Sequence, residues 1–179
     1  MVIKSFREYL AEATDTGKGN YVSIGCKFPD FVEELDLASG SLNKSPHITL
    51  IYSKESKEDP KDILSDIQVK FGTKSIPCEV VEAAKFDSLP KKGERDEKKA
   101  CVVLKLKSKK LEDIHEFLKG KGLKHSYPEF SPHLTLFYDV DSDEANTVVS
   151  TLNATGALDG LTINCSGFKS NTIIEDWNK

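Results

Sequence analysis

Two five-residue stretches, Pro46-His47-Ile48-Thr49-Leu50 and Pro132-His133-Leu134-Thr135-Leu136, hold the residues of this chain best suited to chemistry. On a strand, residues i and i+2 share a face at about 6.5–7 Å. His47 and Thr49 therefore point one way while Ile48 and Leu50 point to the other side, and His133 and Thr135 repeat the pattern over Leu134 and Leu136. Histidine ordinarily titrates near pH 6.5 (roughly), so it can take or give a proton close to neutrality. Two histidines flanking a phosphate can divide the roles of base and acid without a metal. A hydroxyl beside each can donate to the non-bridging oxygens, where charge accumulates in the transition state. This inventory fits in-line cleavage of a phosphodiester. A single H-x-T would be read as a half-buried histidine bonded to a neighbour. Two copies, each after a proline and each followed by an apolar residue and a tyrosine, are not explained by packing alone.

The elements that position these motifs come in a repeated order. Tyr21–Phe28 reads as a strand with Val22 and Ile24 on one face, and Asp30–Leu37 as a short helix burying Phe31 and Leu35. His47–Tyr52 is the first motif strand. Asp59-Pro60 supplies an N-cap and a first-turn proline for a helix with Ile63, Leu64 and Ile67 inward. Ile76–Phe86 is again a strand. In the second half, 100–107 alternates as a strand, and Ser108 can cap a helix carrying Leu111, Ile114 and Leu118. His133–Tyr138 is the second motif strand. Asp141 and Glu144 resemble a capping box for a helix with Ala145, Val148, Val149 and Leu152 inward, and Leu161–Phe168 closes the series. Each half thus reads strand, helix, motif strand, helix, strand, an internal duplication. Its fold class is mixed α/β (α+β), with two pseudo-symmetric lobes presenting one motif each to a central cleft.

Outside this unit, residues 1–13 form an amphipathic helix with Ile3, Phe6, Tyr9 and Leu10 on one side, and 14–20 read as a linker. The division is therefore a leader and linker over 1–20 and the folded domain over 21–179. The charge run 90–99 is read as a solvated hairpin loop, with a flap over the cleft as the alternative.

Net charge of −4 with only two arginines, Arg7 and Arg95, argues against a coat-binder of long nucleic acid and leaves a small anionic ligand open. No apolar run reaches the roughly 20 residues of a membrane span, and no secretory-type leader is seen, so a cytoplasmic location is expected. Cys26, Cys78, Cys101 and Cys165 lack C-x-x-C spacing and are read as reduced core thiols, with no zinc or other metal implied. His115 is expected to be an ordinary surface histidine and His125 a loop residue that could line the rim of the site. Tyr52 and Tyr138, on period two, are expected on the buried side of their strands.

Paired H-x-T-hydrophobic strands in a duplicated α/β chain resemble the two-histidine (2H) phosphoesterase superfamily over about residues 21–170. That superfamily includes RNA 2′,3′-cyclic phosphodiesterases, the LigT-type RNA ligases and the phage anti-CBASS cyclic-oligonucleotide phosphodiesterases. The resemblance implies a bilobal LigT-like fold, His47 and His133 as the catalytic pair, and Thr49 and Thr135 as phosphate holders. No cofactor is implied. The stretch 46–53 and the end GFKSNTIIEDWNK look most like the anti-CBASS branch. There an aromatic near the start of the first strand stacks on a base, and a C-terminal segment with an acidic residue and a tryptophan closes over the ligand. Tyr21, Glu175 and Trp177 are the matching candidates. For Trp177, docking of the tail competes with ligand stacking.

Residues 5–13, SFREYLAEA, resemble the capsid-targeting leader of T-even-like phage internal head proteins, with a prohead-protease cut after Glu12; a simple docking helix is the alternative. The expectation is a phage enzyme acting in the host cytoplasm, which could be packaged in the virion head. It would hydrolyse 3′,5′ bonds of a small cyclic nucleotide such as 3′,3′-cyclic GMP-AMP. An RNA-end 2′,3′-cyclic phosphodiesterase, a non-catalytic nucleotide sponge and a structural head protein are the rival classes.

Overall fold

The computed structural model describes residues 20–53, 60–88 and 98–171. The expected leader helix, the Asp59 cap, most of the 90–99 charge run, Glu175 and Trp177 lie outside the described residues. In chain order the elements are β1 (Asn20–Cys26), a 3-10 turn (Asp30–Val32), β2 (Ser41–Leu42), β3 (His47–Ser53), α1 (Pro60–Phe71), β4 (Ile76–Asp87), β5 (Lys99–Lys107), α2 (Lys109–Gly120), β6 (His133–Asp141), α3 (Ser142–Ala154) and β7 (Thr162–Asn171). All seven strands join one sheet in the order β2-β6-β5-β4-β7-β1-β3, with every neighbouring pair antiparallel.

The duplication read from the sequence is visible in that order. With β2 set aside, β6-β5-β4-β7-β1-β3 is a palindrome once β5 is matched with β1, β6 with β3, and β7 with β4. The third strand of each half is exchanged: β4 pairs with β5 and β7 pairs with β1. The two motif strands stand far apart in the order, yet β3 and β6 approach each other. The sheet must therefore coil strongly, as twisted antiparallel sheets do.

One face of the sheet is apolar and carries the helices. Val22, Ile24, Ile48, Leu50, Leu134 and Leu136 are fully buried there, and they share a core with Ile63 and Ile67 of α1, Leu111, Ile114 and Leu118 of α2, and Ala145 and Leu152 of α3. The alternation read from both motifs thus holds. The helix expected over Asp30–Leu37 shrinks to the single 3-10 turn, with Val32 as its buried residue and Phe31 and Leu35 only packed against the core. Residues 38–39 are instead held from α3: Glu144 accepts the backbone N–H groups of Ala38 and Ser39 and the Ser39 hydroxyl. That use of its carboxylate replaces the expected capping box, and neither Asp141 nor Ser108 caps its helix through the side chain. All four cysteines are free thiols, three of them buried, and Cys26 contacts Cys165, its partner across β1 and β7.

A second correction concerns His115, expected on the surface; His125 does lie in a loop, as expected. His115 is only 3% exposed. Its Nδ1–H donates to the Leu50 carbonyl at 2.7 Å, and its ring stacks on Phe130 at 4.2 Å between centroids. His125 is half-buried beside it, with ring centroids 4.7 Å apart, and its Nδ1 accepts the Tyr52 N–H at 3.3 Å. The Ser126 N–H donates back to the Tyr52 carbonyl at 2.8 Å, so the segment leading to the second motif is tied to the strand of the first. The sequence hid this, because a helix histidine and a loop histidine become partners only through the fold.

Both rings are stable as neutral imidazoles. Burial, then the charges of His115 and Lys119, pushes His125 down to about 4, and burial likewise lowers His115. Protonating His125 would also turn its Nδ1 into a donor facing the Tyr52 N–H. Depressed histidine pKa values mean that the unfolded chain binds protons first. Stability is therefore full above about pH 6.5 and is lost as pH falls towards 4. Urea melts at pH 7 and pH 4.5 should show the wild type losing stability on the order of 3 kcal/mol more than His125→Gln, whose side-chain carbonyl can still accept from Tyr52. Parallel losses in both proteins would rule His125 out as the cause.

Candidate active site

Each motif histidine is pinned in the same way. His47 Nδ1–H donates to the Ser45 carbonyl at 2.6 Å, and His133 Nδ1–H donates to the Ser131 carbonyl at 2.9 Å. A carbonyl can only accept, so in the neutral ring the proton is fixed on Nδ1 and Nε2 keeps its lone pair. Both rings are half-buried. Burial is the main reason that each has a lowered pKa, with the bond to its carbonyl working the other way. The positive charge of His47, when present, further lowers His133. The two rings, brought together by the coiling of the sheet, are therefore close enough to feel each other.

The strands carrying them share an irregularity that pattern reading missed. Thr49 pairs with Ser23 but Ile51 with Val22, so Leu50 is an extra residue in β3. Thr135 pairs with Val103 but Phe137 with Val102, so Leu136 is an extra residue in β6. The bulge falls on the same motif position in both halves. It bends each strand just after its His/Thr pair, as bulges near functional sites do. Tyr52 is buried as expected, 1% exposed, but the bulge puts it on the face of Tyr21 instead of that of Ile48. Ile51 joins the main core, while Tyr52 pairs across from Tyr21 and forms a separate cluster with Tyr21 and Tyr127.

Around His47 the surroundings are polar. The Tyr21 ring meets it edge-on at 5.9 Å between centroids, and the side chains of Thr49 and Ser23 lie near the Tyr21 hydroxyl. Burial outweighs their influence and pushes the Tyr21 phenol up to about 12, so it stays protonated. Tyr21 is 5% exposed, which makes it a wall of the His47 position in this structure. Gly25 pairs with His47, and a Cβ there would sit 3.0 Å from the Ser166 carbonyl; its lack of a side chain leaves that row narrow. Around His133, Phe86 meets the ring edge-on at 5.0 Å, Thr135, 7% exposed, pairs with Val103, and His133 itself pairs with Lys105. Phe86 escaped sequence reading because it lies on a strand with no motif.

Asn43 was missed as well. It is 5% exposed and lies four residues before His47. Its Nδ2 donates to the Thr135 carbonyl at 2.9 Å, its backbone N–H donates to the Leu136 carbonyl at 2.8 Å, and its Oδ1 accepts the Ser45 N–H at 3.0 Å. One residue thus links the strand of Thr135 to the turn whose Ser45 carbonyl holds His47. Nothing in the sequence marks it beyond a short polar turn before a strand.

Comparison with known families matches the model described as anti-CBASS protein Acb1 over residues 30–157, a span that holds both motifs. The chain belongs to this family. Its role is accordingly phage counter-defence against CBASS, and a cyclic nucleotide signal is the target such a role implies. Among the described residues no helix is long and apolar enough to cross a membrane. The four His/Thr positions and Asn43 all lie inside the matched span, whereas β1 and β7, which supply Tyr21 and Lys169, lie outside it.

Asn43→Ala should lower the free energy of unfolding by about 1–3 kcal/mol, since it strands the buried Thr135 carbonyl and removes the acceptor of the Ser45 N–H. Denaturant melts would read this, and a loss below about 0.5 kcal/mol would show that the clamp does not hold the strands.

Proposed function

We propose that the chain is a metal-independent phosphodiesterase of the two-histidine class. It hydrolyses a 3′,5′ bond in a cyclic oligonucleotide signal such as 3′,3′-cyclic GMP-AMP. The observation that carries this reading is the matched pinning of His47 and His133, each with Nδ1–H on a backbone carbonyl, which keeps the basic lone pair of the neutral ring on Nε2. On this reading the palindromic sheet corresponds to the two-lobed fold of that superfamily, with the motif strands flanking a shared cleft.

The chemistry follows from the parts. One histidine, neutral at Nε2, takes the proton of an adjacent 2′-OH or a water as its oxygen attacks phosphorus. The other, protonated at Nε2, gives its proton to the departing 5′-oxygen as the P–O5′ bond breaks. The Thr49 and Thr135 hydroxyls donate to the non-bridging oxygens as negative charge grows there. The backbone carbonyls of Ser45 and Ser131 keep both rings oriented through the proton transfers. The enzyme would act in the host cytoplasm, where the signal accumulates. Packaging through residues 5–13 is a separate expectation, read out by mass spectrometry of purified heads.

Incubation with a panel of cyclic di- and trinucleotides in EDTA, followed by chromatography, should yield linear products. His47→Ala and His133→Ala should each lower turnover by at least about 10²-fold with circular dichroism unchanged. Retained activity in either variant breaks the pairing, and cleavage of RNA 2′,3′-cyclic ends alone would shift the substrate to RNA termini.

The pH profile has a definite sign. Both histidines titrate below their ordinary value. The base must be neutral and the acid protonated, so kcat/KM should peak on the acid side of about pH 6.5. A maximum above pH 7.5 (roughly, more than one unit from that value) would show that substrate-free pKa values do not govern the step.

A further inference from the structure

We infer that Lys169 is a substrate-binding residue of the His47 half-site, contacting the phosphoryl group of an anionic nucleotide; this rests on the phosphodiesterase reading above. Thr49 of β3 pairs with Ser23 of β1, and Ser23 pairs with Lys169 of β7. Residues paired across antiparallel strands share a face. Thr49, Ser23 and Lys169 therefore form one row on the face of His47, with the Lys169 backbone two strand spacings, roughly 10 Å, from that of Thr49. A four-carbon stem with a mobile ammonium spans much of that gap. The charge reaches the site already, because Lys169 makes protonation of His47 harder.

The other half of the sheet lacks this cation. The row of Thr135 continues through Val103 to Ala84, so an alanine stands where the first half has Lys169. The row of His133 does contain a lysine, Lys105, but Glu82 holds it at 2.7 Å. Lys85 and Lys99 are likewise paired, with Asp87 and Asp141. Lys169 is exposed, and among the described residues no carboxylate pairs with it. In a chain of net charge −4, attraction of an anion has to come from such a local charge. The two His/Thr pairs are thus alike in their own chemistry and unlike in their electrostatic setting. Among the described residues, the His47 side alone offers a hydroxyl, a second hydroxyl and an ammonium with no carboxylate partner in a row.

This arrangement also suits the timing of the reaction. Before substrate binds, the ammonium adds to burial in disfavouring the protonated His47; once a phosphate oxygen meets the ammonium, that added restraint is relieved. The groups facing His47 in this argument are Lys169 from β7, Tyr21 from β1 and His133 from β6. Tyr21 stays neutral throughout the working range, so changes in the His47 titration report Lys169 and His133.

The test compares Lys169→Met and Lys169→Arg in the full chain. First, NMR follows the His47 imidazole against pH in the ligand-free protein. Lys169→Met should move its titration upward, while Lys169→Arg leaves it near the wild type. Second, inorganic phosphate is titrated while the same resonance is observed. It should perturb His47 in the wild type and the arginine variant, with binding about tenfold or more weaker in the methionine variant. Third, KM for a cyclic dinucleotide should rise by a similar factor in Lys169→Met and fall back in Lys169→Arg. If the wild type fails to turn over cyclic dinucleotides but the first two results hold, the phosphate site stands and the substrate reading fails. An unchanged His47 titration together with unchanged phosphate binding in Lys169→Met overturns the inference.

Discussion

Asn43 makes the geometry of the site one problem instead of two. Its amide and backbone N–H bond the strand of the second motif, while its side-chain carbonyl holds the turn of the first. Motif strands at distant positions in a sheet can drift with its twist, because coiling is a soft degree of freedom. A buried amide with fixed donors and acceptors limits that drift, since stranding any of its partners in the interior is costly. The Tyr52–His125–Ser126 contacts restrain the opposite flank, between the end of β3 and the approach to β6. The placement of the two motif strands is thus restrained by polar contacts at two ends of the same strand pair.

What the sequence made legible follows from period two. Ile48, Leu50, Leu134 and Leu136 are all fully buried, and the His/Thr faces opposite them are polar and partly open. Helix faces were equally readable, because Leu111, Ile114 and Leu118 recur at helical spacing and all reach the core. Period two fails where a bulge inserts one residue: Tyr52 lands on the face opposite to the one its spacing implies, and Ile51 takes its place in the core. A bulge after Thr49 leaves no signature in HITLIY, since every residue there suits either face. The Asp30–Leu37 stretch has helical spacing, but the carboxylate of Glu144 holds the chain just beyond it in an irregular path. Propensity there is outweighed by a tertiary contact about a hundred residues away.

Site chemistry divides the same way. The four motif residues are recognisable because the same pattern occurs twice. Asn43, Phe86 and Lys169 occur once each, in stretches with ordinary turn or strand composition, and only pairing register brings them to the histidines. Duplication thus explains what the halves share. Their differences, such as Tyr21 beside His47 and Phe86 beside His133, lie in single positions.

The exchanged strands bear on how the molecule comes into being. β1, which flanks the first motif strand, takes its other neighbour from β7, the last strand described, and β4 finds its main partner in the second half. Neither half can close its own sheet during synthesis, and the pairings that complete it span most of the chain. Such long-range contacts form late and favour all-or-none folding. A ribosome-bound first half would hold His47 and Thr49 on a strand pair still missing its support. The protein should therefore complete the sheet that supports its site only after β7 has emerged.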